Sequence, residues 1–290
     1  MCILAAVSRA GYYRFREPAA DTDEADEEES RLRDVIQREV LESRQYGYRR
    51  ITHALKAQGW EVNHKRVARL MREDNLLAIR KRRFVPQTTD SGHDFEVAIN
   101  IARRLTPTAL NQLWVADITY VRLGRMDVFL AVVLDAFSRK VVGWSLDLRM
   151  TTELTLTALS NAVESRRPEP GLIHHSDRGV QYASNAYVDM LLLHGMIPSM
   201  SRPGNPYDNA KCERFMKTLK QEEIHCFEYR DIDHLRANLN VFIDRYYNAK
   251  RLHSALGYLS PEEFERRAAQ PTTGETLKAP RVSFSRHKEI

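Results

Sequence analysis

Cysteine is scarce in this chain. Three occur in 290 residues, Cys2, Cys212 and Cys226, and none forms a CxxC pair. That excludes a disulfide-built scaffold, leaves no zinc-ligand spacing, and points to a reducing compartment. No apolar run approaches the roughly 18 residues that span a bilayer, so no membrane partner is expected. Residues 1–7 are apolar but too short for a signal peptide, and no basic segment precedes them. The cytosol is the expected location.

Positive charge is lacking outside one stretch. The net charge is +5 and the isoelectric point about 9.1, a mild excess that says little alone. Residues 1–30 hold three Arg and eight Asp or Glu, a net of −5. Residues 31–85 hold fifteen Arg or Lys and six acids, a net of +9, which leaves +1 for the rest. A basic module of that size suits a polyanion partner. The hydrophobic content of 43% is enough for a real core, so the chain is not a disordered polyelectrolyte.

The apolar pattern divides the chain into an N-terminal segment with an acidic linker (1–30), a helical domain (31–85), a linker with a short helix (86–108), a core (109–268) and a tail (269–290). Residues 1–16 read as a helix fragment ending at Gly11. The acidic run 21–29 reads as a solvated linker or as the exposed start of a helix. Leu32, Val35, Ile36, Val40 and Leu41 follow helical spacing. Residues 48–58 form a helix with Ile51, Ala54 and Leu55 inward, stopped by Gly59. Asn63 caps a second helix in which Val67, Leu70 and Met71 face inward. Lys65, Arg66 and Arg69 occupy its other faces. This is the layout of a helix-turn-helix, whose second helix meets DNA, although any small amphipathic helix pair shares it. The run Arg80-Lys81-Arg82-Arg83 suits phosphate contact, or a plain solvated linker.

After residue 108 the pattern changes to strands at 113–123, 128–135 and 141–147, with turns at Gly124-Arg125 and Ser138-Arg139. Helices are expected at 151–165, 185–194, 208–224 and 231–248, and short strands at 172–175 and 197–200. The order β-β-β-α-β-α-β-α-α is a mixed α/β sheet with flanking helices, preceded by a small all-α domain.

Three acids stand out in that core. Asp117 lies in a strand whose neighbours Val115, Ile118 and Val121 mark it as buried, where an unpaired carboxylate is costly. Asp177 follows a strand end, a common place for reactive groups. Glu213 lies on the helix after a Pro/Gly-rich loop, and Asn209, Glu213, Lys217 and Lys220 fall within about 80° of one another on a helical wheel. Any one of them alone reads more simply as a salt-bridged or capping acid. Together they match the needs of an in-line displacement at a phosphodiester, where two divalent ions activate the attacking oxygen and stabilise the leaving one. Hard oxygen ligands suit Mg²⁺.

The blocks around these acids resemble the DDE core of retroviral integrases and insertion-sequence transposases. Leu113-Trp114-Val115-Ala116-Asp117-Ile118-Thr119-Tyr120 is similar to the first block, and His175-Ser176-Asp177-Arg178-Gly179 to the second. Ser201 to Ala210 leads to Glu213 as in the third, with 35 residues between Asp177 and Glu213 and Lys220 seven beyond. Tyr247-Asn248, Arg251-Leu252-His253 and Leu256-Gly257-Tyr258 resemble the C-terminal signature. The match is closest to the second reading frame, OrfB, of bacterial insertion-sequence-three-type elements, over about residues 8–265.

The resemblance implies a ribonuclease-H-like fold and two Mg²⁺ or Mn²⁺ ions on Asp117, Asp177 and Glu213. It implies cleavage and joining of element ends and target DNA, on nucleoid DNA in the bacterial cytoplasm. It further implies an OrfA partner, or an OrfA–OrfB fusion, and a homo-oligomer assembled on DNA. With little before Ser8, the chain would represent the OrfB part alone. Lys217 and Lys220 would hold phosphate near Glu213, or simply form an exposed helix face. The alternatives are a nuclease of the same fold, disfavoured by the spacing before Glu213, and a DNA-binding regulator whose core is inert, which a missing acid would have supported.

Several neighbours read more plainly. Asp135 is a turn-capping acid, Cys212 a small packing residue, and Ser260-Pro261-Glu262-Glu263 a helix start. His175 turns toward the acids or makes a structural hydrogen bond. No role for Arg251 or His253 follows from the sequence.

Overall fold

The computed structural model describes residues 22–76, 98–201 and 209–270. The chain forms two compact units, Met1–Arg82 and Arg83–Ile290.

Among the described residues the first unit holds three helices, α1 (Thr22–Glu42), α2 (Tyr48–Ala57) and α3 (His64–Glu73). The acidic run is the start of α1 rather than a linker, and Glu27 and Glu28 are exposed. Leu32, Val35 and Ile36 are buried, whereas Leu41, expected on the same stripe, is 70% exposed. Its position in the last turn carries it past the end of the packed face. Ile51 and Leu55 of α2 and Val67, Leu70 and Met71 of α3 complete the small core. Gly59 adopts φ +90° just after α2, where a side chain would be strained. Asn63 caps α3 by accepting from the N–H groups of Lys65 and Arg66 at 2.8 and 3.0 Å.

The second unit is built on five strands, β1 (Leu113–Leu123), β2 (Met126–Asp135), β3 (Val141–Asp147), β4 (Ile173–Ser176) and β5 (Ile197–Met200). Their spatial order is β3-β2-β1-β4-β5. The first three form an antiparallel meander. β2 starts two residues earlier than its apolar run suggests, because the turn at Gly124-Arg125 closes directly onto the Leu123–Met126 pair. β4 and β5 add in parallel, through the helices α4 (Thr152–Arg166), α5 (Val180–Ala183) and α6 (Asn185–Leu193).

Alternation along β1 splits its side chains between two layers. Trp114 and Ala116 face α4 and α6, in a cluster with Ala158, Leu159, Tyr187 and Leu191. Leu113, Val115, Val121 and Leu123 face the other way, onto α7 (Ala210–Leu219) and α8 (Ile232–Asn240). The first contact is close enough to demand glycine. A Cβ at Gly143 of β3 would lie 2.3 Å from the carbonyl oxygen of Ala158 in α4.

Two long helices expected at 208–224 and 231–248 each change pitch midway. α7 gives way to a π-helical segment at Lys220–Ile224, and α8 to one at Val241–Asn248. Such wide turns mark places where a side chain is drawn out of the regular ladder. Glu222 of the first reaches Tyr246 of the second, whose hydroxyl donates to it at 3.0 Å. A further helix, α9 (Pro261–Ala269), starts as expected, with Ser260 Oγ accepting from the Glu263 N–H.

Candidate active site

The register of β1 against β4 brings two of the three acids together. Leu113 pairs with Ile173, Trp114 with His174 and Val115 with His175. Asp117 stands two residues past the last of these pairs on β1, and Asp177 follows directly on the end of β4, close enough for its charge to act on Asp117. Asp117 has the parity of Leu113 and Val115, which face α7. β4 stops at Ser176 while β1 continues to Leu123, so a crevice opens beside Asp117 at the carboxyl end of the parallel pair. Glu213 lies in the first turn of α7, on that side of the sheet.

The surroundings hold each acid in place. Asp117 is half-buried, and its Oδ1 accepts from the Ile118 N–H at 2.9 Å. Asp177 is half-buried and its Oδ1 accepts from the Gly179 N–H at 2.9 Å. A Cβ at Gly179 would lie 3.1 Å from that same oxygen, which explains a glycine two residues after the acid. Glu213 is exposed, and Cys212 beside it is fully buried in the apolar layer, as the packing reading expects.

Asp117 is pushed up to about 8, first by burial, then by the charges of Asp177 and Glu213; the Ile118 N–H and Lys220 oppose the rise. Glu213 is raised as well, by partial desolvation of its carboxyl although the side chain as a whole is exposed. The site thus gathers more carboxyl groups than the chain's own cations can keep ionised. A cation is the natural complement, and the donors are hard oxygens suited to Mg²⁺. Among the described residues no three His, Cys, Asp or Glu side chains close on one metal position. The donor set fits ions that take one or two carboxylates each and leave positions for water and phosphate, the usual habit of Mg²⁺.

Lys220 is half-buried at the end of α7, with its ammonium 4.8 Å from the Tyr120 ring centroid. Burial lowers its affinity for the proton while the charge of Asp117 raises it. Lys217, one turn earlier, is exposed.

His175 does not turn toward the acids as a free base. Ser199 Oγ accepts from the N–H groups of Ile101 and Ala102 at 3.0 and 3.2 Å and shares a hydrogen bond with His175 Nδ1, 2.9 Å away. Nε2 on the other side of the ring shares a hydrogen bond with Ser201 Oγ at 3.0 Å. The ring ties β4 to β5 and to the segment entering the core. Asp135 is buried, and its carboxylate accepts from the N–H groups of Asn111, Phe137 and Ser138, the turn cap expected of it.

The C-terminal residues without an expected role form a brace. Arg251 and Glu222 make a buried two-point ion pair at 2.7 and 2.8 Å. Removing either partner would strand a buried charge, at a cost of about 3–5 kcal/mol. His253 packs edge-on against Tyr247, which packs edge-on against Phe215 of α7. Asn248 accepts from the N–H and donates to the carbonyl of Val141, both at 3.0 Å. The sequence signal was present in the cluster of Tyr247, Asn248, Arg251 and His253, but their partners lie far away in the chain.

In the first unit, Lys65 is exposed at the start of α3. Arg66 pairs with Glu28 at 3.0 Å and Arg69 with Glu29 at 2.7 Å and Glu73 at 3.1 Å. Two cations expected at the DNA surface are thus held by acids, two of those from α1. Arg80, Lys81, Arg82 and Arg83 lie outside the described residues.

The electrostatics of Asp117 fix a pH signature for the metal-free protein. A carboxyl raised in the folded state binds its proton more tightly there than in the unfolded chain. It therefore removes stability as pH rises from about 4 toward 8. Thermal melts of metal-free wild type and Asp117→Asn should diverge over that range, with the variant the more stable at pH 8. Parallel melting curves at all pH values would contradict the assignment.

Family models match three stretches of the chain. Two described as integrase core domains match residues 107–206 and 194–261, and one described as an HTH-like domain matches residues 26–84. The chain is 40% identical over 274 residues to the insertion element IS600 uncharacterized 31 kDa protein of Shigella sonnei, covering 93% of this chain and 99% of that one. It is 38% identical over 241 residues to the transposase for insertion sequence element IS904 of Lactococcus lactis, covering 80% and 95%. It is 37% identical over 267 residues to the transposase InsF for insertion sequence IS3A of Escherichia coli, covering 91% and 92%. With a mixed five-stranded sheet, an integrase core and an HTH-like domain, the chain belongs to the IS3-type family of DDE transposases.

Proposed function

We propose that Asp117, Asp177 and Glu213 are the catalytic carboxylates of this transposase and hold two Mg²⁺ or Mn²⁺ ions. The observation that supports this reading is that the β1–β4 pairing ends just short of both Asp117 and Asp177, whose charges act on each other there, with Asp117 on the face of the sheet covered by the Glu213 helix. When bound, the ions would activate an attacking oxygen and stabilise the leaving one during cleavage of element ends and their joining to target DNA. The chain's own part is to hold the three carboxyl groups near one another, where a bound cation would offset the electrostatic cost of ionising them. Lys220, and Lys217 a turn before it, would bind the scissile strand's phosphates. His175 takes no proton in this scheme, since both ring nitrogens are engaged by serines.

The DNA itself would be gripped by α3. Lys65 is open, whereas Arg66 and Arg69 would exchange their carboxylate partners for phosphate. Exposed ion pairs are weak enough for that exchange. The run Arg80 to Arg83 would add phosphate contacts. The reading extends to an OrfA protein, or its fusion, as the partner that brings the element ends, and to a homo-oligomer assembled on DNA at the nucleoid. Residues 31–85 and 109–268 are its working domains. No helix among the described residues is long and apolar enough to cross a membrane.

An element-end oligonucleotide, Mg²⁺ and a target plasmid, with and without OrfA, test the chemistry. Asp117→Asn, Asp177→Asn and Glu213→Gln should each lower joined product by about 10³-fold, the loss of several kcal/mol of transition-state stabilisation. DNA retention with no cleavage under any condition, partner included, would favour an inert core and overturn the reading.

The grip is tested by fluorescence anisotropy over a salt series. Arg69→Ala should flatten the slope of log affinity against log salt by about 1. Glu29→Gln should raise affinity about two- to fivefold at low salt. An unchanged slope in the first variant would remove Arg69 from the interface.

A further inference from the structure

Asn209 stands immediately before α7, four residues ahead of Glu213. Asparagine there ordinarily caps the helix by accepting from its first N–H groups. This one does not: its side chain makes no capping bond. It is 6% exposed, and its Nδ2 donates instead to the carbonyl oxygen of Ala116 at 2.9 Å, across 93 residues of sequence.

The reason lies in the register. Ile173 N–H donates to Gln112 O, so carbonyls at even positions of β1 point toward β4. At Ala116 there is no paired β4 residue left to donate. Asn209 supplies the missing donor and so enters the crevice between the parted strands. It binds the residue next to Asp117 while standing one helical turn before Glu213. Its Oδ1 is buried without a partner among the described residues, and buried acceptors are as a rule paired.

We propose that Asn209 is a positioning residue of the carboxylate site. Nδ2 clamps the start of the Glu213 helix to the Asp117 strand, fixing the separation of those two acids. Oδ1 accepts from a water in the shell of a metal ion held there. This rests on the metal-binding reading of Asp117, Asp177 and Glu213, and the test separates the two.

Mn²⁺ binding to the full chain without DNA, followed by electron paramagnetic resonance, is measured for wild type, Asp117→Asn, Asn209→Ala and Asn209→Ser. Serine is as good an N-cap residue as asparagine, but its shorter side chain has no amide to donate to Ala116. The rise in melting temperature on adding Mn²⁺ reads the same quantity in a variant that is itself less stable. The Mg²⁺ concentration for half-maximal strand transfer is followed in parallel. Both Asn209 variants should bind Mn²⁺ about tenfold more weakly, show a smaller Mn²⁺-induced melting shift, and need about tenfold more Mg²⁺, with DNA retention unchanged. A residue of structural importance only would lower the melting temperature and leave the Mn²⁺ shift at its wild-type size, which would overturn the proposal. If Asp117→Asn binds Mn²⁺ as wild type does, the metal reading itself fails. If Asp117→Asn loses binding while the Asn209 variants keep it, only the role of Asn209 is overturned.

Discussion

The pairing of β1 with β4 is the constraint on which the rest depends. Three parallel pairs, Leu113 with Ile173, Trp114 with His174 and Val115 with His175, determine where two acids 60 residues apart come to stand. A slip of one residue would turn Asp117 away from the face of the sheet that carries the Glu213 helix. The apolar alternation of β1 prevents that slip, because it would also drive Leu113 and Val115 out of the layer they share with Phe215 and Leu219. The hydrophobic core and the charge cluster are therefore set by one register.

Concentrating carboxylates in a crevice has an electrostatic cost that the fold manages rather than removes. Asp117 is raised to about 8 by burial and by its acidic neighbours. The opposing groups are one backbone N–H and Lys220, and Lys220 is itself steadied over Tyr120. Around this strained centre the supports are dense and polar. His175 is locked between two serines, Asn209 spans strand and helix, and the buried Arg251–Glu222 pair holds the wide turn after Lys220. The tension sits at the acids, and the bracing lies one step back from them.

How much of this could be read beforehand follows from the range of each interaction. The caps at Asn63 and Ser260, the turn acid Asp135 and the apolar stripes are local, and the chain shows them directly. The three acids were legible because their blocks resemble a known family, and the strand and helix assignments put them in the right elements. The pitch changes at Lys220 and Val241 were not legible, since they answer to contacts between Glu222, Tyr246 and Arg251 that only the folded chain creates. The pairing of Arg66 and Arg69 with α1 was hidden for the same reason. An acidic run 40 residues away reads as a solvated surface until the helices pack. Leu41 shows the converse limit, a residue on the right stripe but beyond the end of the packed face.

The central claim, that strand register assembles a metal-binding carboxylate pair, is tested most directly by diffraction from crystals soaked in Mn²⁺, using its anomalous signal. The account predicts anomalous density between the carboxylates of Asp117 and Asp177, on the side of the sheet that carries Glu213. Mn²⁺ bound elsewhere at full occupancy, with that crevice empty, would contradict it.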